Sequence, residues 1–222
     1  SRKLNVKACG PDEKYGRVDK SKRATALNGE LSHKYYYAVS KRISYKEAFS
    51  DNNWATLMAT YYYLDEAVYT DPVTGATSGR LDKIKLVTAD PNDGCLTYSY
   101  VYGFTTQGRY SQKLGYSDNN WTTLKVTYYY LDEDFNSTGQ GRLDKIKLVS
   151  AGADNCLSYD YAYYAVTNIV QTKRGYSDNN WATLKVTYTY FNNTTNHLQT
   201  LTLPTADQYG NINAPGAKSP PG

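Results

Sequence analysis

Three acidic turns hold the side chains closest to a metal-ligand pattern. Asp51, Asp118 and Asp178 each open an Asp-Asn-Asn-Trp run. A carboxylate beside two amides is the oxygen-rich hardware a calcium ion takes if neighbouring carbonyls converge. The same residue types at turns also bond their own backbone and accept unusual dihedral angles, and that reading leaves no metal site. The acidic neighbours Asp65 with Glu66 and Asp132 with Glu133 are the nearest approach to a paired acid and base. They recur in one hairpin and give way to Asn192 and Asn193 in a third copy, which fits a polar turn better than glycosidic chemistry.

The only histidines are His33 and His197, and neither lies in a motif that activates a nucleophile. His33 takes a position matched by Tyr98 and Tyr159, so it reads as a rim or ladder residue. No cofactor motif occurs, and the expectation is a protein that is not an enzyme and uses no cofactor.

Cys9, Cys95 and Cys156 contain no CxxC spacing and no Cys/His cluster, which argues against zinc. Cys95 and Cys156 occupy matching places, but a disulfide needs Cα atoms roughly 4 to 7 Å apart, less than a unit of several strands advances. A bond from Cys9 to either one, within or between chains, stays open. Asn120, Asn136, Asn192 and Asn193 fall in Asn-x-Ser/Thr sequons, which matter in a compartment that glycosylates.

The elements that position these residues repeat. GYSDNNWTTLKVTYYY around Trp121 recurs as AFSDNNWATLMATYYY around Trp54 and GYSDNNWATLKVTYTY around Trp181. Trp54 to Trp121 is 67 positions and Trp121 to Trp181 is 60, so the unit is close to sixty residues. LSHKYYY, LTYSYVY and LSYDYAY open the units, and GRLDKIKLV closes the first two, degrading to NHLQTLTLP at 196–204. The chain divides into a basic tail or docking strand over 1–30, units over 31–94, 95–155 and 156–203, and a Pro/Gly-rich tail over 204–222.

Within the blocks the period is two. Leu124, Val126, Tyr128 and Tyr130 alternate with Lys125, Thr127 and Tyr129, and β-branched and aromatic types dominate. The fold class is therefore all-β: three tandem units of about four antiparallel strands, arranged as hairpins in an elongated stacked or spiralling sheet. Recurrence assigns Trp54, Trp121, Trp181, Tyr98, Tyr100, Tyr159 and Tyr161 to stacking of one unit on the next. The sharper alternative sets Tyr36, Tyr129, Tyr164 and the three tryptophans on an exposed platform for sugar rings.

The chain has 222 residues, 40% hydrophobic and 21% charged, ordinary for a folded domain. Its net charge of +4 is spread through mixed-sign strands and the basic tail, which does not point to nucleic acid. No run of about 18 apolar residues is present to span a bilayer as a helix.

An aromatic Tyr-x-Tyr strand, an acidic turn, then Gly-Arg-Leu and an alternating strand resemble the YD repeats of bacterial Rhs proteins and related wall-associated shells. Residues 61–87 and 128–149 carry the resemblance, with 188–204 a looser copy. The LDE sequence and the SDNNW block are departures from that pattern. The resemblance implies a spiralling sheet of stacked hairpins in large extracellular proteins, and no catalysis. Three units are too few to enclose a cargo, so the chain is expected either to be part of a longer shell or to pair with copies of itself through open sheet edges. The functional expectation is an extracellular or cell-surface structural repeat protein whose partner is itself, in a fibre or larger shell. The alternatives are a carbohydrate-binding or adhesive module with a glycan partner, and a fragment of a toxin-enclosing shell.

Overall fold

The computed structural model describes residues 18–70, 77–104, 108–133, 140–165, 167–192 and 197–204. Cys9, Asn136, Asn193 and the tail beyond residue 204 lie outside the described residues. The chain forms two compact units, 1–150 and 151–222. Every strand and no helix is found among the described residues, so none offers a helix long and apolar enough to cross a membrane.

The first unit contains β1 (Lys20–Leu27), β2 (Glu30–Tyr37), β3 (Ile43–Phe49), β4 (Leu57–Tyr63), β5 (Tyr69–Thr70), β6 (Thr77–Ser78), β7 (Leu81–Leu86), β8 (Thr97–Val101), β9 (Gln112–Tyr116), β10 (Leu124–Tyr130) and β11 (Leu143–Leu148). They pair in the order β1-β2-β3-β4-β7-β8-β9-β10-β11, each neighbour antiparallel, as strands joined by short turns must. The short β5 and β6 belong to the long β4–β7 connection, and β6 touches β3 through one parallel bridge, Ile43 to Ser78. The second unit pairs β12 (Ser158–Tyr163), β13 (Val170–Tyr176), β14 (Leu184–Tyr190) and β15 (Leu198–Thr202) in chain order, again antiparallel.

Period-two side-chain alternation sorts each sheet into two faces. In the first unit Cys95, Tyr98 and Val126 are buried on one face, packed by Ile84, Leu86, Tyr100, Tyr128, Ile146 and Leu148. The register places Lys83 and Lys85 of β7 beside Ser99 and Thr97 of β8, on the opposite face. The first face holds the buried apolar cluster, and the opposite one sets lysines beside hydroxyl side chains and the tyrosine row Tyr36, Tyr45 and Tyr62.

Of the segment expected to be a basic tail or docking strand, the described part from residue 18 onward contains β1. Asn28 and Gly29 have φ of 52° and 80°, the paired left-handed dihedrals of a tight hairpin turn, and they fold β1 onto β2. The dipeptide Asn-Gly is a direct signal for that turn.

Candidate functional site

The turn that ends in tryptophan takes the same constrained backbone in all three places. Trp54, Trp121 and Trp181 have φ of 56°, 56° and 55°, in the left-handed region that side chains with a Cβ seldom adopt. Holding a bulky residue there costs about 1–3 kcal/mol, so the surroundings must over-determine it. Two sets of bonds do so. Asp118 Oδ1 accepts the backbone N–H of Asn120 at 2.7 Å and of Thr122 at 3.2 Å, and Oδ2 accepts that of Thr123 and the Thr122 hydroxyl. Asp51 does the same with Asn53, Ala55 and Thr56, and Asp178 with Asn180, Ala182 and Thr183.

The indole then reaches back across the sheet. Trp54, Trp121 and Trp181 donate Nε1–H to the carbonyls of His33, Tyr98 and Tyr159 at 3.2, 2.9 and 3.0 Å. The hydroxyls of Ser32, Thr97 and Ser158, all buried, donate to the carbonyls of Asp51, Asp118 and Asp178 and bind the same turn from the other side. Lys22 Nζ lies 4.3 Å from the Trp54 ring centroid and Lys83 Nζ 5.3 Å from that of Trp121, while Tyr62 meets Trp121 edge-on at 5.8 Å. A ring with its N–H engaged and a cation over its face is a brace on the sheet.

The same bonds set the state of the carboxylates singled out as metal candidates. Bonds from Thr56, Ala55 and Asn53 hold the Asp51 carboxyl down at about 2, and bonds from Thr183 and Ala182 hold Asp178 at about 2. Bonds led by that from Thr123 place Asp118 well below the usual carboxylate range. These oxygens serve as backbone caps. Among the described residues no group of three or more His, Cys, Asp or Glu side chains is arranged to hold a metal.

On the apolar face a second arrangement recurs. Asp93 accepts the hydroxyls of Tyr98 at 2.8 Å and Tyr128 at 2.6 Å, and Asp154 those of Tyr159 at 2.5 Å and Tyr188 at 3.0 Å. Near β2 the same place is taken by Glu30, which bonds His33 Nε2 at 2.9 Å and the Tyr61 hydroxyl. A lysine lies over each tyrosine pair or its counterpart: Lys113 Nζ is 3.7 Å from the Tyr98 centroid, Lys173 4.0 Å from Tyr159, and Lys46 4.3 Å from Tyr61. Burial drives the Tyr98, Tyr128 and Tyr159 phenols far above their ordinary range and pulls Lys113 and Lys173 down. Burial raises Asp93 and Asp154 too, but hydrogen bonds led by Tyr128 and Tyr159 outweigh it and leave both lowered. Each phenol stays protonated and each carboxylate charged, so the cluster works as a set of fixed hydrogen bonds.

Cys95 and Cys156 complete these clusters as free, fully buried thiols. A Cβ added at Gly115 would lie 2.6 Å from Cys95 Sγ and 2.9 Å from Val126 Cγ1, and one at Gly175 would meet Cys156 and Val186 at the same distances. The glycine is the hole into which the sulfur packs. Burial pushes the thiols up to about 12 and about 11. Cys95 and Cys156 are not bonded to each other, in keeping with the spacing argument, and a bond from Cys9 involves a residue outside those described.

Two other expectations change. His33 is 2% exposed, bonded to Glu30 and within 3.4 Å of Ser21 Oγ, so it is a core residue and does not stand at a rim. Within the first unit Tyr98 is not stacked on His33, which holds the matching place, because β3, β4 and β7 separate β2 from β8, about 19 Å at the usual strand spacing. Its partners are Asp93, Lys113 and Gly115 within its own block. Tyr100 meets Tyr110 edge-on at 4.8 Å, and Tyr110 meets Tyr130 at 5.0 Å, while Tyr161 is half-buried opposite Lys173. Of the platform candidates, Tyr36 stacks on Tyr45 at 4.1 Å, Tyr129 is half-buried opposite Lys145, and Tyr164 donates its hydroxyl to the Tyr190 carbonyl.

The acidic hairpins resolve into clamps. Glu66 takes Arg80 through Nε at 2.5 Å and Nη2 at 2.9 Å, Glu133 takes Arg142 at 2.6 and 2.9 Å, and Asp65 and Asp132 pair with Arg42 and Arg109. Gly79 and Gly141 are required because a Cβ there would sit 1.8 Å from the carbonyl oxygens of Leu64 and Leu131. The β14–β15 hairpin, with Asn192 and exposed His197, has lost both partners and closes through Phe191 N–H to the His197 carbonyl. Asn120 and Asn192 are exposed.

One recurrence is missed by counting three blocks. Residues 16–22, GRVDKSK, match GRLDKIK at 79–85. The registers agree: Lys20 pairs with Lys34 and Lys22 with Ser32, as Lys83 pairs with Ser99 and Lys85 with Thr97. Tyr37 donates its hydroxyl to the Val18 carbonyl at 2.6 Å, as Tyr102 does to Leu81 at 2.7 Å. β1 is thus a further closing strand, legible in the Gly-Arg-x-Asp-Lys-x-Lys spacing.

No protein-family model and no curated protein matches this chain.

Proposed function

We propose that this chain is a structural repeat protein of the cell surface or extracellular space: three tandem sixty-residue units, preceded by a closing strand, that associate with copies of themselves through an uncovered sheet edge. The observation that carries the reading is what the repeated residues are used for. Tryptophan indoles, turn carboxylates, buried tyrosine hydroxyls and the Glu–Arg clamps all bond to the chain itself, so the features multiplied along the sequence stabilise a sheet. Repetition of such units is how a surface is lengthened without a new core. The Rhs-like YD pattern of residues 61–87 and 128–149 is in keeping with that role, and the exposed sequon residues Asn120 and Asn192 with an extracellular address.

Negative-stain electron microscopy and light scattering of the untagged chain test the proposal. Discrete oligomers or filaments are expected. Monomers at every concentration, together with retention on immobilised glycans, would overturn it in favour of the carbohydrate-binding reading, for which the half-buried Tyr36, Tyr45 and Tyr62 row is the surface to examine.

A further inference from the structure

The closing strands β1 and β15 are finished differently. β1 carries Lys20, Lys22 and Arg23, the kind of basic edge that natural sheets use to refuse a new strand. It is also fitted to its neighbour. Ser21 takes the place that Ile84 holds in β7, and its hydroxyl lies 3.4 Å from His33 Nδ1 and 3.2 Å from the Tyr35 hydroxyl. Lys20 and Lys22 both lie over the Trp54 ring.

β15 has none of these devices. Its sequence LQTLT has no charge, and Thr200 and Thr202 stand where β7 has Lys83 and Lys85 and β11 has Lys145 and Lys147. The alignment follows from register, since Leu201 lies opposite Tyr188 as Ile84 lies opposite Tyr61 and Ile146 opposite Tyr128. Among the described strands β15 pairs with β14 alone. Leu198 and Leu203 are 49% and 40% exposed. In β7 the corresponding free edge is covered by β8, so a closing strand of this pattern is built to take a further antiparallel strand.

The geometry points to a second copy of this chain as the occupant, with β15 pairing antiparallel to the β15 of that copy about a two-fold axis. This rests on the self-association proposed above and specifies its site. Charge decides between the candidates. A neutral strand meets itself without repulsion, and a pairing centred on Leu201 puts Leu201 opposite its own copy and Thr200 opposite the second copy's Thr202, a favourable cross-strand arrangement. The β1 of a second copy brings three cationic side chains, Lys20, Lys22 and Arg23, and β15 has no carboxylate to pair with them. Displacing that β1 to reach β2 would bring Leu201 against His33 and forfeit the Ser21 bonds and both lysine contacts with Trp54. An interface in which each partner gives the same patch closes as a dimer and does not propagate.

The test is analytical ultracentrifugation of the full 222-residue chain over a hundredfold concentration range, alongside the double variant Thr200→Lys with Thr202→Lys. Lysine is the residue β7 and β11 carry at these positions, so the variant keeps a strand that folds; far-UV circular dichroism checks this. The inference expects a reversible monomer–dimer equilibrium whose dissociation constant rises at least tenfold in the variant. A dimer unaffected by the two lysines would overturn the β15 site, and open-ended polymers would overturn the two-fold mode while leaving self-association standing. Monomers throughout would overturn both.

Discussion

Replacing Gly115 by alanine probes the packing that sets the repeated core. The new Cβ would fall 2.6 Å from Cys95 Sγ, 2.9 Å from Val126 Cγ1 and 3.2 Å from Tyr98 Cε1. Relaxed contacts lie near 3.5–4.0 Å, so these atoms must move apart by about 1 Å. They are a fully buried thiol, a valine 2% exposed and a tyrosine anchored through its hydroxyl on Asp93, so none swings away freely. Overpacking of this kind typically costs about 1–3 kcal/mol. The lower entropy of alanine in the unfolded chain offsets up to about 1 kcal/mol, which leaves a net loss of about 1–2 kcal/mol. Cys95→Ala removes the sulfur that blocks the site. The pair should therefore couple, with the double variant at least about 1 kcal/mol more stable than the sum of the single losses. The chain contains a version of this exchange: opposite His33 the glycine position is Ala48, and there Glu30 replaces the cysteine and Ala59 the valine. Urea unfolding followed by tryptophan fluorescence and by circular dichroism measures all four proteins, the two probes checking that sheet segments melt together. A neutral Gly115→Ala, or losses additive within about 0.5 kcal/mol, would refute the packing argument.

Stability should fall with acid between about pH 4 and 2. Asp51 and Asp178 have folded values lowered to about 2 by hydrogen bonds led by those from Thr56 and Thr183, so the stability they give is present above their unfolded value near 4 and is lost as pH drops through the folded one. Asp118→Asn should flatten that slope in acid titrations of the melting temperature, and an unchanged slope would contradict the cap. Millimolar calcium should leave the melting temperature unmoved, because the same carboxylates are occupied by N–H groups; a rise of several degrees would reopen the metal reading. In iodoacetamide labelling with mass spectrometry, Cys95 and Cys156 should stay unmodified until the chain unfolds, whereas rapid native labelling would contradict their burial. Gly141→Ala should unseat the β10–β11 hairpin and cost about 3 kcal/mol or more, since its Cβ meets backbone and not a movable side chain.

The strands were legible because alternation of Leu, Val and Tyr with Lys and Thr is a local property, and the turn role of Asp51, Asp118 and Asp178 followed from residue type. The direction in which repeated residues point their bonds was not. Recurrence suggested rings stacked between blocks, yet within the first unit four strand steps separate His33 on β2 from Tyr98 on β8, and Tyr98 and Tyr159 each bond a carboxylate of their own block. The Cys95–Gly115 interlock joins positions twenty apart in sequence, related only once β8 and β9 are paired. His33 looked like an exception and is a compensated one, since Glu30, Ala48 and Ser21 change with it. β1 could have been found from Gly16 to Lys22, but Ser21 at the place of Ile84 and the run of Lys and Arg hid the copy behind a basic tail.

Hydrogen exchange of the three indole N–H groups, read by NMR on the folded chain, tests most directly whether the repeated residues serve the sheet. The account predicts that Trp54, Trp121 and Trp181 all exchange slowly, each bound to the carbonyl of its neighbouring strand, and that added oligosaccharide leaves their signals in place. Rapid exchange in all three, with shifts on glycan addition, would contradict it and make the tryptophans a binding surface.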